Sequence, residues 1–146
     1  MKTLHDILKL CEQTHFATDA GTQMHKRLQR VMIEADKTSG DPDLVARISA
    51  KSELLPFFCV AAKTEVPIAG TIKGRFVSRR IDRLLVNTLD KTISVLDYKT
   101  DINKTINRDK YIAQVHEYVA LLQAVYPDYK IAGYILWTND FSLEKI

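Results

Sequence analysis

A stretch reading "ISVLDYKTD", from Ile93 to Asp101, puts an acid and a base one residue apart at the end of an apolar run. Residues alternate faces along a strand, so Asp97 and Lys99 point one way and Tyr98 the other. A second carboxylate, Asp82, stands in "RRIDRLL", in the strand-like segment just before. A turn between the two segments can bring both acids to one sheet face. Two carboxylates at one spot repel unless a cation lies between them. Hard oxygen ligands with room for water suit Mg²⁺ or Mn²⁺. A protonated lysine cannot ligate such an ion, but it can position water and neutralise charge on a phosphoryl group. Asp82, Asp97 and Lys99 are therefore candidates for phosphodiester hydrolysis. The plainer reading is an exposed Asp–Lys ion pair of little energetic worth. Against it, the strand leading to Asp97 is too apolar for a casual surface pair.

The elements that must position these residues are legible from periodicity. Leu4, Ile7, Leu8 and Cys11 have helical spacing. A second helix is expected from near Asp19 or Thr22 to about Ala35, with Met24, Leu28, Val31, Met32 and Ala35 as its buried stripe. His25 lies on it among Lys26, Arg27 and Arg30, either as a partly buried structural histidine or as a ligand. Asp41 and Pro42 read as the N-cap and first position of a short helix ending near Leu54. "KTEVPIAGTI", "GRFVSRRIDRLLVN" and "TISVLDYKT" are strand-like. The last of these should be central and covered on both faces. From about Arg108 to Val125 the period is helical again. Gln114 and Tyr118 share one face of that helix at i and i+4. "IAGYILWT" is a final strand, so a strand–helix–strand crossover gives some parallel pairing. The expected class is α/β: a mixed sheet of about four or five strands with helices on both faces.

Composition bounds the function. With 46% hydrophobic and 27% charged residues the chain has an ordinary globular balance, and no apolar run approaches a membrane span. Its two cysteines, Cys11 and Cys59, form no metal or disulfide pattern, so a reducing cytoplasm is expected. Net charge is only +3, yet basic residues cluster at 26–30, 73–83 and 99–110, flanking the acids. A site that binds a polyanion and still holds carboxylates needs this arrangement.

"GTQMHKRLQ", "TEVPIAG", "RRIDRLLV", "VLDYKTD", "YIAQVHEYVALLQAVYP" and "YILWT" occur in that order. Together they resemble the C-terminal nuclease domain of the AddA/RecB helicase–nucleases of the PD-(D/E)XK superfamily, with details closest to AddA of alphaproteobacteria. The resemblance implies a restriction-endonuclease-like core over residues 19–146, with 1–18 a helix or linker from a preceding domain. It implies metal ligation by His25, Asp82, Asp97 and the Tyr98 carbonyl, with Mg²⁺ or Mn²⁺ as the ion. Lys99 matches the catalytic lysine, and Gln114 and Tyr118 the Q-x-x-x-Y motif that helps to position DNA and the site. Arg79, Arg80, Lys104 and Arg108 are the expected DNA contacts. Arg79 departs from the pattern, which usually has a glycine there. The implied partners are single-stranded DNA, cut with little sequence preference, the helicase portion of the same protein and an AddB-like subunit in a bacterial cytoplasm. No G-x-x-x-x-G-K-[ST] occurs, so the chain reads as an excised domain or the tail of a longer or split protein. Two other readings stay open: a catalytically silent DNA-binding or scaffolding domain, and a stand-alone structure-specific nuclease.

Overall fold

The computed structural model describes residues 21–146. The segment 1–18, expected as a helix or linker, lies outside them. Residues 21–29 are helical (α1). There follow β1 (Met32–Ile33), β2 (Thr38–Ser39), α2 (Pro42–Ser49), a 3₁₀ turn (Leu55–Phe58), β3 (Lys63–Ile72), β4 (Arg75–Asn87), β5 (Thr92–Lys99), α3 (Arg108–Val125), β6 (Lys130–Trp137) and β7 (Ser142–Lys145). The five long strands make one sheet in the order β3-β4-β5-β6-β7. β5 and β6 run parallel across the α3 crossover, and the other neighbours are antiparallel. The expected α/β class, mixed sheet and central β5 are all present.

Alternation sorts β5 between two cores. Ile93 and Val95 face α3 and pack with Tyr118 and Leu122. Leu96 and Tyr98 face the opposite layer, with Leu28 of α1, Leu44 and Ile48 of α2, and Phe57 and Phe58. Asp41 caps α2 as expected, accepting from the Asp43 and Leu44 amides at 2.9 and 3.3 Å.

Three expectations need correction. α1 ends at Gln29, not near Ala35, because Met32 and Ile33 pair with Ser39 and Thr38 in a small hairpin. Gly40, at φ +112°, closes back on Val31 there, and a Cβ would meet the Val31 backbone at 2.9 Å. α2 stops at Ser49, before a turn and the 3₁₀ segment containing Pro56. The fifth strand, β7, follows a tight turn at Asp140–Phe141 and was not separated from "IAGYILWT" by periodicity.

α3 lies close on the sheet because β6 has a glycine beneath it. A methyl group at Gly133 would overlap Val115 Cγ1 and press on Val119. Gly133→Ala should lower stability by about 1–3 kcal/mol through overpacking. Thermal denaturation measures this, and a parent-like Tm would mean that α3 yields freely.

Candidate active site

Asp82 owes its position to a fault in β4. The β4–β5 ladder runs from Asn87↔Thr92 only as far as Arg83↔Leu96. Beyond that pair the Tyr98 amide donates to Asp82 Oδ2 at 2.8 Å, so a side chain replaces the ladder carbonyl. Alternation slips at the same place. Ile81 and Leu84 belong to one core cluster although three residues apart, while Arg83 joins the opposite layer. On the other side, Thr64↔Arg83 and Val66↔Ile81 leave Glu65 facing Asp82 without a ladder pair, at φ +52°. A non-glycine residue in that region is uncommon and tends to mark functional strain. The distortion turns the Asp82 carboxylate towards the end of β5.

Asp97 and Lys99 share the α3 side, as alternation requires. Lys99 Nζ lies 2.8 Å from Asp97 Oδ2 and donates to Gln114 Oε1 at 2.9 Å. Gln114 Nε2 in turn donates to the Tyr118 hydroxyl at 2.8 Å. The ammonium also sits 4.3 Å from the centre of the Tyr111 ring. One helical turn of α3 thus fixes the lysine through Gln114 and Tyr118. Tyr118 is also a core residue, 2% exposed. Burial pushes its hydroxyl pKa up, as do the Asp97 and Asp82 charges, so it stays protonated and can donate.

Asp97 is 3% exposed. Burial pushes its pKa up to about 7, with Asp82 adding to the rise as a charge and hydrogen-bond partner while Lys99 opposes it. The Lys99 approach is a charge contact without hydrogen-bond alignment. Asp97 Oδ2 therefore remains a buried acceptor with no hydrogen bond among the described residues.

His25 completes the group. Its Nδ1 lies 2.8 Å from the Gly21 carbonyl, one turn back on α1, and its Nε2 lies 3.4 Å from Asp82 Oδ2. Nδ1 donating to the carbonyl leaves Nε2 facing the acid. The ring meets the edge of Tyr98, with centroids 5.3 Å apart. Burial works against the imidazolium, but the Asp82 hydrogen bond and charge outweigh it, with help from Gly21 and Asp97, so the His25 pKa is raised.

His25, Asp82, Tyr98 and Lys99 line a cleft of ≈1670 Å³. Of the expected DNA contacts only Arg80 lines it, with a mostly exposed side chain 3.8 Å from Glu65. Arg79 pairs with Glu117 at 3.3 Å, Lys104 with Asp140 at 2.7 Å and Arg108 with Glu144 at 2.8 Å, and none of the three lines the cleft. Arg83, grouped with the surface cations by sequence, is buried and bonded to carbonyl oxygens. Besides Lys99, the cations at the cleft are Arg80, Lys26, Arg47 and Lys110. Lys26 and Lys110 stood in the basic clusters, but Arg47 gave no signal. Glu65 also lines the cleft. Asp101 lines the cleft too, and accepts from the Tyr111 hydroxyl at 2.8 Å and from Asn107.

The donors suit a hard divalent cation. Two carboxylates, one with an orphaned buried oxygen, would gain from shared positive charge, and the His25 imidazole could add a nitrogen ligand on giving up its proton. Among the described residues no three His, Cys, Asp or Glu side chains converge as a ready-made cage. In this arrangement the Tyr98 amide and the Lys99 ammonium take up acid oxygens instead. No helix is long and apolar enough to cross a membrane among the described residues. Comparison of the chain with models of known protein families and with curated proteins gives no match.

Proposed function

We propose that this domain hydrolyses phosphodiester bonds in DNA with the help of Mg²⁺ or Mn²⁺. The observation that carries the reading is Lys99, which is held by Asp97 and Gln114 behind it and reaches a cleft that a second acid, joined to His25, also lines. A salt bridge built only for stability needs no histidine, no second buried carboxylate and no open cleft. His25, Asp82, Asp97 and the Tyr98 carbonyl would hold the ion, which supplies charge to the phosphate and acidifies a water. The chain's own residues do the rest. Lys99 stabilises charge developing on the phosphoryl oxygens and orients water. Gln114 and Tyr118 keep the ammonium in place. Lys26, Arg47, Arg80 and Lys110 attract the phosphate backbone, which carries no sequence information. The restriction-endonuclease-like reading of the sheet, the single-stranded substrate, the helicase portion, the AddB-like subunit and the bacterial cytoplasm belong to the same proposal and rest on the motif resemblance.

One observation bears on how DNA arrives. All four expected DNA-binding cations lie against acids, Arg80 most loosely, so intrinsic affinity should be weak and its salt slope shallow. That favours a domain fed by a motor over a stand-alone nuclease. Digestion of single-stranded and duplex DNA with Mg²⁺, Mn²⁺ or EDTA tests the function. Single-strand cutting should require either ion and fail in EDTA. A folded domain that cuts neither substrate with either ion, even with the motor and partner subunit added, would overturn the reading in favour of a silent scaffold.

A further inference from the structure

The geometry points to Arg83 as a positioning residue that holds His25 over Asp82; this rests on the metal-site reading of His25 given above. Arg83 is 2% exposed. Its Nη2 donates to the carbonyls of Leu28 at 2.7 Å, Val31 at 2.9 Å and, more weakly, Gln29 at 3.5 Å. Nη1 donates to Phe57 O at 2.9 Å and Nε to the Tyr98 hydroxyl at 2.6 Å. The guanidinium lies 4.0 Å from the centre of the Phe58 ring. No carboxylate pairs with it among the described residues.

A buried cation with no acid is a costly way to fill space, and an apolar side chain of similar volume commonly does it as well or better. What Arg83 adds is a fixed connection. Leu28 and Gln29 close the helix that carries His25; their carbonyls lack partners within the helix, and that of Leu28 accepts from the Val31 amide just beyond it at 3.1 Å. A cation at that end also complements the helix dipole. Arg83 is chain neighbour to Asp82, so the fork ties the last turn of α1 to the strand that presents the acid. Through Nε it also fixes Tyr98, whose ring meets the imidazole edge-on. Backbone and ring together set the 3.4 Å separation of His25 Nε2 and Asp82 Oδ2. A ligand pair useful to a metal has to be held to within about 0.5 Å.

The test uses the full chain, with Arg83→Lys, Arg83→Met and Tyr98→Phe. In metal-free protein the His25 ring-proton shifts, which sense the Tyr98 ring, should move in both Arg83 variants, while those of exposed His116 stay put. Mn²⁺ affinity, read by electron paramagnetic resonance, should fall about 10- to 100-fold in Arg83→Met, the range for outer-shell partners of metal ligands. In a His25→Ala background the same substitution should change it no further. Tyr98→Phe, which keeps the ring and loses one bond, should give a smaller loss in the same direction. An unmoved His25 signal in a folded Arg83 variant would overturn the inference, as would an equal Mn²⁺ loss with and without His25. If Arg83→Met does not fold, Arg83→Lys and Tyr98→Phe decide, and parent-like shifts and affinity in both would overturn it. A parent that binds no Mn²⁺ would sink the metal reading, and the metal-free shifts alone would then judge Arg83.

Discussion

Lys99→Ala should lower DNA cleavage by at least about 100-fold, the loss typical when a preorganised donor to a developing oxyanion is removed. Mn²⁺ binding should stay near the parent's. The two halves of this expectation come from one geometry. Lys99 Nζ touches Asp97 Oδ2 and Gln114 Oε1, so it is fixed before any substrate arrives. Its removal leaves His25, Asp82 and the Tyr98 carbonyl untouched. It acts on Asp97 in two opposed ways: a competitor for the carboxylate disappears, and a charge that opposed protonation disappears with it. Binding is therefore best measured near pH 8, where Asp97 is largely ionised in the parent. Lys99→Arg should not rescue cleavage, because a planar guanidinium cannot reproduce a point charge seated on the Tyr111 ring. Single-turnover cleavage together with Mn²⁺ titration checks both halves. A variant that loses Mn²⁺ affinity in parallel with activity would show that Lys99 builds the metal site, and the assigned role would be wrong.

The parts of this site that the sequence discloses are those governed by short-range rules. Alternation put Asp97 and Lys99 on one face and Tyr98 on the other, and the structure agrees because β5 is regular to its end. The i, i+4 spacing joined Gln114 to Tyr118. Asp82 was found as a residue type, but the means of aiming it was not. That depends on a slip in β4 opposite Glu65, and a break in alternation is invisible in "RRIDRLLV", where charged and apolar residues already intermix. The burial of Arg83 is hidden for a related reason. Its partners come from Leu28, Val31 and Phe57, far away in sequence, so only the tertiary fold reveals that this cation is satisfied inside. The same limit governed the DNA contacts. Whether Lys104 or Arg108 is free depends on Asp140 and Glu144, which arrive with the β6–β7 turn and β7. In α1, helical spacing continued through Met32 and Ala35, but pairing with Thr38 and Ser39 overrode it.

Asp97→Asn should raise the stability of the metal-free protein above neutral pH and weaken Mn²⁺ binding by more than about 100-fold, beyond the range seen for outer-shell partners. The sign follows from burial. The folded-state pKa of Asp97, about 7, lies above its ordinary 3.8, chiefly because burial disfavours the charged form. The fold thus binds this proton more tightly than the unfolded chain does. The stability linked to it is full below about pH 4, declines as pH rises towards 7, and is absent above that. An asparagine keeps the shape and has no charge to bury. The parent's metal-free Tm should therefore drop between pH 4 and 7 by a component that the variant lacks, worth upwards of about 1 kcal/mol. At pH 8 Mn²⁺ should raise the parent's Tm by mass action and leave the variant's nearly unchanged. Thermal denaturation at several pH values, with Mn²⁺ and with EDTA, reads all of this. A variant with the parent's pH profile would show that Asp97 is not strained by its burial. One with the parent's Mn²⁺ response would remove Asp97 from the ligand set, and with it the reason a second carboxylate is buried beside Asp82.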